Sequence, residues 1–215
     1  TSAQVSAGRS SSTLRIDNVE NYNGTSWTEI AEINTARRTH ASAGSANTVT
    51  LAFGGETSTG NIALTEHWNG TSWTEVNDLN TARNNFGMFG ISTSAIAFAG
   101  NDGSNKLNNV ESWNGSSWTE VAEFNTAAVE QINGAGTTNT SGIKFGGEAA
   151  PGKLANTEDW DGTTWTEVAD LANPIGSNMG AGSATSAISA TGNGATTYRT
   201  VTEEWTFSGL DPSTT

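Results

Sequence analysis

The sequence predicts an all-β fold, a β-propeller of four-stranded antiparallel blades, and two observations support this prediction. The pattern Trp-Asn-Gly-Thr-Ser-Trp-Thr-Glu recurs with small variations along the 215 residues. Its first aromatic advances in steps of 46, 45, 47 and 45 residues, from Tyr22 through Trp68, Trp113 and Trp160 to Trp205. Each repeat also divides into four short strand-like stretches. Because a propeller blade holds four strands in about 40 to 50 residues, each repeat is predicted to form one blade.

The second repeat illustrates the four predicted strands. Turn signals rich in Gly, Asn, Ser and Thr separate short stretches with strand-like composition. From the centre of the ring outward, we refer to these as the inner, second, third and outer strands of a blade. The predicted strands cover residues 38–43, 48–54, 62–68 and 72–76.

The third and outer strands are joined by Asn69-Gly70. This dipeptide is typical of a two-residue type I′ turn, in which both central residues take a positive φ. Such a turn pairs Trp68 with Thr71 and Glu66 with Trp73. The two tryptophans then share one face of the hairpin with Glu66, and we expect them to pack between blades.

A glycine-bearing pair ends the second strand of each repeat, and twelve residues always separate this pair from the first aromatic. Glycine at a strand end suits a site where two backbones approach closely. The five pairs are Gly8-Arg9, Gly54-Gly55, Ala99-Gly100, Gly146-Gly147 and Thr191-Gly192.

These features resemble the kelch repeat, which has an Arg or His at the inner strand, a diglycine, a Glu two residues before an aromatic, and a final Trp. The resemblance covers essentially the whole chain, although Ala128 and Ile175 replace the arginine in two repeats. The lysine-poor style, rich in Thr, Asn and Gly, also resembles repeat segments of structural and tail-associated proteins of aquatic bacteriophages. The matching residues of the second repeat are Arg37, His40, Gly54, Gly55, Glu66, Trp68 and Trp73.

We interpret the repeated tryptophans and glutamates as structural. Catalytic acids are normally unique in a fold, whereas these glutamates are replicated in every repeat, and kelch-type glutamates bond backbone amides or hydroxyls near blade edges. Their alternative roles are cation ligands or the carboxylate pair of a glycoside hydrolase. The residues assigned to structure are Trp27, Trp68, Trp73, Trp113, Trp118, Trp160, Trp165, Trp205, Glu20, Glu66, Glu111, Glu158 and Glu203.

The strand count predicts five blades, with an incomplete first and last blade. The amino terminus supplies no inner strand, and the carboxyl terminus fades out after Phe207 without an outer one. A four-blade ring with surplus strands, or a larger ring assembled from several chains, are the alternatives. Unpaired strand edges invite self-association. We interpret residues 1–209 as one propeller domain and residues 210–215 as a C-terminal tail or the start of a linker.

Composition and charge limit the classes of partner and bound group that the protein could have. With 9 basic and 22 acidic residues, the net charge of −13 disfavours nucleic acid and anionic membranes. No cysteine is present, which excludes disulfides and thiolate metal sites. No apolar run reaches the length of a membrane helix, so no membrane insertion is expected. The chain begins at Thr1 without a basic-then-apolar signal segment, and we expect a processed product or a piece of a longer protein.

No enzyme chemistry is predicted. His40 and His67 are the only histidines, and they occupy different positions of the repeat, so neither a catalytic triad nor a metal site is expected. We therefore predict no catalytic, cofactor-binding or metal-binding residue, and a glycoside hydrolase is a distant third hypothesis.

Function is expected on the loops that vary between repeats, because propeller loops collect on two rims while the blades hold them in position. We predict a non-enzymatic binding or display module that recognises a glycan or a surface protein, as part of a virion or an extracellular assembly. The alternative is a purely structural spacer or oligomerisation module without a small ligand. The candidate rim-binding residues are Arg37, Arg38, Arg83, Asn101 and Asp102.

Overall fold

The computed structural model describes residues 2–11, 14–126, 132–194 and 198–206. These residues form five antiparallel sheets, blades 1 to 5, and two short hairpins. Blade 1 has three strands, β1 (Ala3–Arg9), β2 (Arg15–Tyr22) and β3 (Trp27–Ile30). Blade 2 has four strands and a hairpin, in the order β4 (Ala41–Ala46), β5 (Val49–Phe53), β6 (Glu56–Thr57), β7 (Gly60–Asn61), β8 (Thr65–Trp68) and β9 (Trp73–Val76), where β6 and β7 are the hairpin.

The remaining blades continue this plan. Blade 3 comprises β10 (Gly87–Ile91), β11 (Ser94–Phe98), β12 (Val110–Trp113) and β13 (Trp118–Val121). Blade 4 comprises β14 (Asn133–Thr138), β15 (Ser141–Phe145), the hairpin β16 (Glu148–Ala149) and β17 (Gly152–Lys153), then β18 (Thr157–Trp160) and β19 (Trp165–Val168). Blade 5 has three strands, β20 (Met179–Ser183), β21 (Ser186–Asn193) and β22 (Tyr198–Thr206).

The predicted all-β propeller of five blades is therefore confirmed, and the described residues of the first and last blades form three strands each. No helix occurs among the described residues, and none of their segments is a helix that could span a membrane. Blade 5 forms a sheet of its own, which corrects the alternative of a four-blade ring with surplus strands. The predicted domain end at residue 209 and the tail 210–215 lie outside the described residues.

The inner strands β4, β10, β14 and β20 pack side by side around the centre of the propeller. Their approach is close because small residues dominate them. A Cβ atom added at Gly180 would stand only 2.4 Å from the carbonyl oxygen of Gly134 on the neighbouring inner strand. Backbone therefore fills the centre where these strands meet.

Among the described residues, blade 1 has no inner strand, and a hollow of about 240 Å³ lies between its first strand β1 and the inner strand β4 of blade 2. The side-chain amide of Gln4 is buried beside this hollow, and neither its nitrogen nor its oxygen has a hydrogen-bond partner.

The turn between the third and outer strands differs from the prediction. Trp68 pairs with Trp73, and Glu66 pairs with Glu75, so the connection has four residues. The Asn69 side chain accepts the backbone N–H groups of Thr71 and Ser72 at 2.9 and 3.0 Å. Because this side chain closes the turn in place of a backbone carbonyl, the predicted two-residue turn and its register are wrong.

Strand boundaries also shift, and the third strand of blade 2 begins at Thr65 rather than at residue 62. The inner strand of blade 2 begins at Ala41, three residues later than predicted, because Arg38 forms a backbone bridge with Glu56 before the strand starts. In blade 1 the left-handed pair is Ala7-Gly8, with φ of 54° and 135°, rather than the predicted Gly8-Arg9. The constant spacing of twelve residues therefore fails by one residue in blade 1.

The core lies between blades, not within them. Trp68 and Trp73 pack against Val19 and Ile33, which lie on or directly after blade 1. In the same way Trp113 and Trp118 pack against blade 2, Trp160 and Trp165 pack against blade 3, and Trp205 packs against blade 4. Each aromatic pair is therefore directed at the preceding blade.

The indole N–H groups fix these rings in place. The first tryptophan of a pair donates to the turn between the inner and second strands of its own blade, as Trp113 does to the Ser92 carbonyl at 3.0 Å. The second donates to the preceding blade or the connection after it, as Trp73 does to the Ala31 carbonyl at 3.1 Å. Each pair thus combines apolar contact with directional bonds, which is the arrangement that buried tryptophan favours.

Candidate functional site

Two sets of loops meet on one rim of the propeller, and we call them together the loop rim. One set leads from an outer strand to the next inner strand, and the other joins the second and third strands. Backbone bridges connect the two sets at Arg38 and Glu56, and at Asn84 and Asn101. The loop rim comprises residues 10–11, 14, 31–40, 54–64, 77–86, 99–109, 122–126, 146–156 and 169–178.

A repeated glutamate holds each connection that enters a blade. Glu111 accepts the backbone N–H groups of Asn80 and Thr81 at 2.6 and 3.1 Å. Glu66 and Glu158 make the same pair of bonds in blades 2 and 4, and Glu203 accepts one such bond from Ala172. These carboxylates face the protein's own backbone rather than a ligand.

Arg37 and Arg83 lie in the interior, each with no exposed surface. The Arg83 guanidinium binds Glu111 at 2.8 Å and the carbonyls of Ala99 and Asn109 at 2.9 and 3.0 Å. Arg37 binds Glu66 at 2.5 Å. This corrects the prediction that Arg37 and Arg83 bind a ligand at the rim, because burial keeps both guanidinium groups from any ligand at the surface.

Sequence analysis missed the cation of blade 4. Lys144 on β15 is fully buried, and its ammonium lies 2.9 Å from Glu158. Burial lowers the pKa of Lys144, and the nearby Glu158 charge opposes that shift. The available signal was a lysine between the apolar residues Ile143 and Phe145, because a charged residue in a buried strand needs a partner.

The other arginine predicted for the rim, Arg38, lies on the loop rim. It binds both carboxylate oxygens of Glu56 at 2.9 and 3.0 Å. Arg15 also binds Glu56, and Asn84 donates to it at 3.3 Å. The hydrogen bonds from Arg38, together with those from Arg15, hold the pKa of Glu56 below its ordinary value. Glu56 therefore ties three consecutive blades together.

Asn101 and Asp102 form a tight turn on the loop rim of blade 3. Asp102 is exposed, and its carboxylate accepts the backbone N–H groups of Ser104 and Asn105, each at 2.7 Å. The Asn101 carbonyl accepts the side chain of Asn61 at 2.7 Å, which links blades 2 and 3. Both residues thus reach the rim, where they also stabilise the loop that carries them.

A hollow of about 390 Å³ opens on the loop rim between blades 1 and 2. Its volume lies in the range of about 300 to 1,000 Å³ that is typical of small-ligand pockets. Hydroxyl groups, one guanidinium and the exposed side chain of Leu14 surround it, so it offers hydrogen bonds beside an apolar surface. We call it the rim hollow, and it is lined by Leu14, Arg15, Thr35, Ala36, Thr57, Ser58 and Thr59.

The two histidines lie apart from this hollow's lining. His40 is half-buried, and its Nε2 lies 3.2 Å from the Ser6 hydroxyl. Burial, reinforced by the charge of Arg37, lowers the pKa of His40 to about 4. Among the described residues, no group of three or more His, Cys, Asp and Glu side chains is arranged to hold a metal ion.

Comparison with known proteins gives no family assignment. No protein-family model matches the chain, and no curated protein matches it.

The buried ion pairs generate a first prediction. Replacing Glu111 by Ala leaves Arg83 buried without a counter-charge, which costs about 3 to 5 kcal/mol of unfolding free energy. Glu120→Ala is the matched control, because Glu120 lies directly opposite Glu111 in the sheet and is exposed. It should change the stability by less than about 0.5 kcal/mol. Urea denaturation measures both, and equal losses would contradict the structural role of Glu111.

His40 generates a second prediction. Its unfolded pKa is near 6.5 and its folded pKa is about 4, so the unfolded state binds a proton first as the pH falls. The free energy of unfolding should therefore drop by up to about 2 kcal/mol between pH 7 and pH 5. The variant His40→Gln should lose most of this dependence. Denaturation curves at the two pH values test this, and an unchanged dependence in the variant would contradict it.

Proposed function

We propose that this chain is a non-enzymatic, kelch-like binding module whose loop rim recognises a glycan or a protein surface in an extracellular or virion-associated assembly. The proposal rests on a difference between the polar residues that repeat in every blade and those that do not. The replicated Glu66, Glu111 and Glu158 bind backbone and buried cations, whereas Leu14, Thr57, Ser58 and Thr59 of the rim hollow do not repeat between blades. We therefore assign ligand recognition to the residues that do not repeat.

The chemistry of the rim hollow supports a hydroxyl-rich ligand. The hydroxyls of Thr35, Thr57, Ser58 and Thr59 can donate and accept hydrogen bonds, and Leu14 offers an apolar patch for the face of a sugar ring. The net charge of −13 disfavours polyanions over most of the surface. Neutral glycans are therefore the favoured class.

A hydrolase is not favoured. Glycoside hydrolysis needs two carboxyl groups on either side of the scissile bond, about 5 to 10 Å apart. Glu111 and Glu120 face each other across β12 and β13, but Glu111 is buried under the incoming connection and bound to Arg83. A sugar could not reach it without displacing that connection.

A glycan array tests the proposal. The wild-type chain should bind a defined set of neutral glycans, and Ser58→Arg should weaken binding of the strongest hit at least tenfold, because the larger side chain fills the rim hollow. Ser104→Arg is the matched control, since Ser104 is exposed on the equivalent loop of blade 3. It should bind like the wild type.

Two results would contradict this assignment. Binding unaffected by Ser58→Arg would move the site away from the rim hollow. No binding on glycan arrays or to cell-surface proteins would remove the recognition function itself.

A structural or oligomerisation module is the second candidate function. One observation favours it: large apolar side chains are exposed on blades 1 and 5, the two incomplete blades. Self-association through these blades would cover them. The exposed side chains on these two blades are Val5, Trp27, Met179, Ile188 and Val201.

A further inference from the structure

The first and last blades each leave one sheet face uncovered. We call the face of blade 1 that carries Val5, Tyr22 and Trp27 the head flank. The face of blade 5 that carries Met179 and Ile188 is the tail flank. Val5 is 56% exposed, Trp27 48%, Met179 67% and Ile188 40%. Apolar side chains this exposed are a marker of an interaction surface when they are grouped on one face.

The head flank repeats the surface that other blades use for packing. Trp27 occupies the position of Trp73, which is only 7% exposed because it lies against the preceding blade. Val5 occupies the position of Ala52, which is fully buried. The rings of Tyr22 and Trp27 lie 5.2 Å apart with an interplanar angle of 37°.

That ring geometry matches the interior pairs closely. The rings of Trp160 and Trp165 are also 5.2 Å apart, with an angle of 36°. The head flank thus presents an aromatic pair that is already arranged for packing, and its Trp27 remains 48% exposed.

The tail flank repeats the surface that receives such a pair. Ile188 lies next to the residue that pairs with Trp205, as Ile143 lies next to the residue that pairs with Trp160. Ile143 is fully buried under blade 5, whereas Ile188 is exposed. Met179 holds the position of Ala41, which is 7% exposed.

We propose that the head flank of one copy of this chain binds the tail flank of a second copy, and that this contact reproduces the packing between consecutive blades. The inference rests on the second candidate function. Within the part of the chain that the structure describes, the apolar side chains of both flanks stay exposed. Each flank matches the other in the way that neighbouring blades match. Such a head-to-tail contact is heterologous, so it builds a closed ring of chains or an open filament.

Sedimentation equilibrium with two one-sided variants tests the geometry. Trp27→Glu disables the head flank, and Ile188→Glu disables the tail flank. The wild type should form species above the 22.3 kDa monomer as its concentration rises, whereas each variant alone should stay monomeric. An equimolar mixture of the two variants should form a dimer, because each supplies the flank that the other lacks.

Controls keep the result interpretable. Thr119→Glu adds the same charge at an exposed residue on the outer strand of blade 3, and it should associate like the wild type. Circular dichroism and thermal melting check the fold of each variant. Trp27→Ser and Ile188→Ser replace any variant that fails to fold, and each should weaken association at least tenfold.

The outcomes separate the proposals. A wild type that stays monomeric at every concentration would overturn both the oligomerisation function and the head-to-tail contact. Association that survives Trp27→Glu or Ile188→Glu, or a mixture that remains monomeric, would overturn the head-to-tail contact alone. Dimers of Ile188→Glu would point to a head-to-head contact instead.

Discussion

The packing of each aromatic pair against the preceding blade is the interaction on which the rest of the structure depends. No blade has a core of its own, so a pair such as Trp113 and Trp118 is buried only because Leu51 and Phe53 of blade 2 receive it. Repeat proteins of this kind gain stability from interfaces between neighbours. The same dependence explains why the described residues of the first and last blades leave apolar side chains exposed, among them Trp27 and Ile188.

The buried ion pairs are the second constraint. The repeated glutamate has a buried cation as its partner in three blades, although that cation comes from different positions of the repeat. In blades 2 and 3 the cation is Arg37 or Arg83, from the connection that enters the blade. In blade 4 it is Lys144, from the second strand, and it reaches the same glutamate position. The carboxylate already binds two backbone N–H groups, so a cation from either direction completes its environment.

The repeat was enough to predict the fold from the sequence. The turn geometry and the burial of the arginines could not be predicted, because they depend on side chains that bond in place of backbone groups. The phase of the tryptophans predicted the blades and the face that they share. The four-residue turn at Asn69 was missed because the amide side chain closes it, a geometry that the Asn-Gly dipeptide does not specify. Arg37 and Arg83 were expected on the rim because charge suggests exposure, but a buried glutamate binds each of them. The rim hollow was not predicted because residues from three separate loops form it.

Hydrogen exchange of the eight tryptophan indole N–H groups, followed by NMR in dilute solution, tests the central claim most directly. The seven indoles that donate to carbonyl or hydroxyl oxygens should exchange slowly, and Trp27 should exchange fast. Equal protection of all eight, or exchange of Trp73, Trp118 and Trp165 as fast as that of Trp27, would contradict packing of each pair on the preceding blade. The seven are Trp68, Trp73, Trp113, Trp118, Trp160, Trp165 and Trp205.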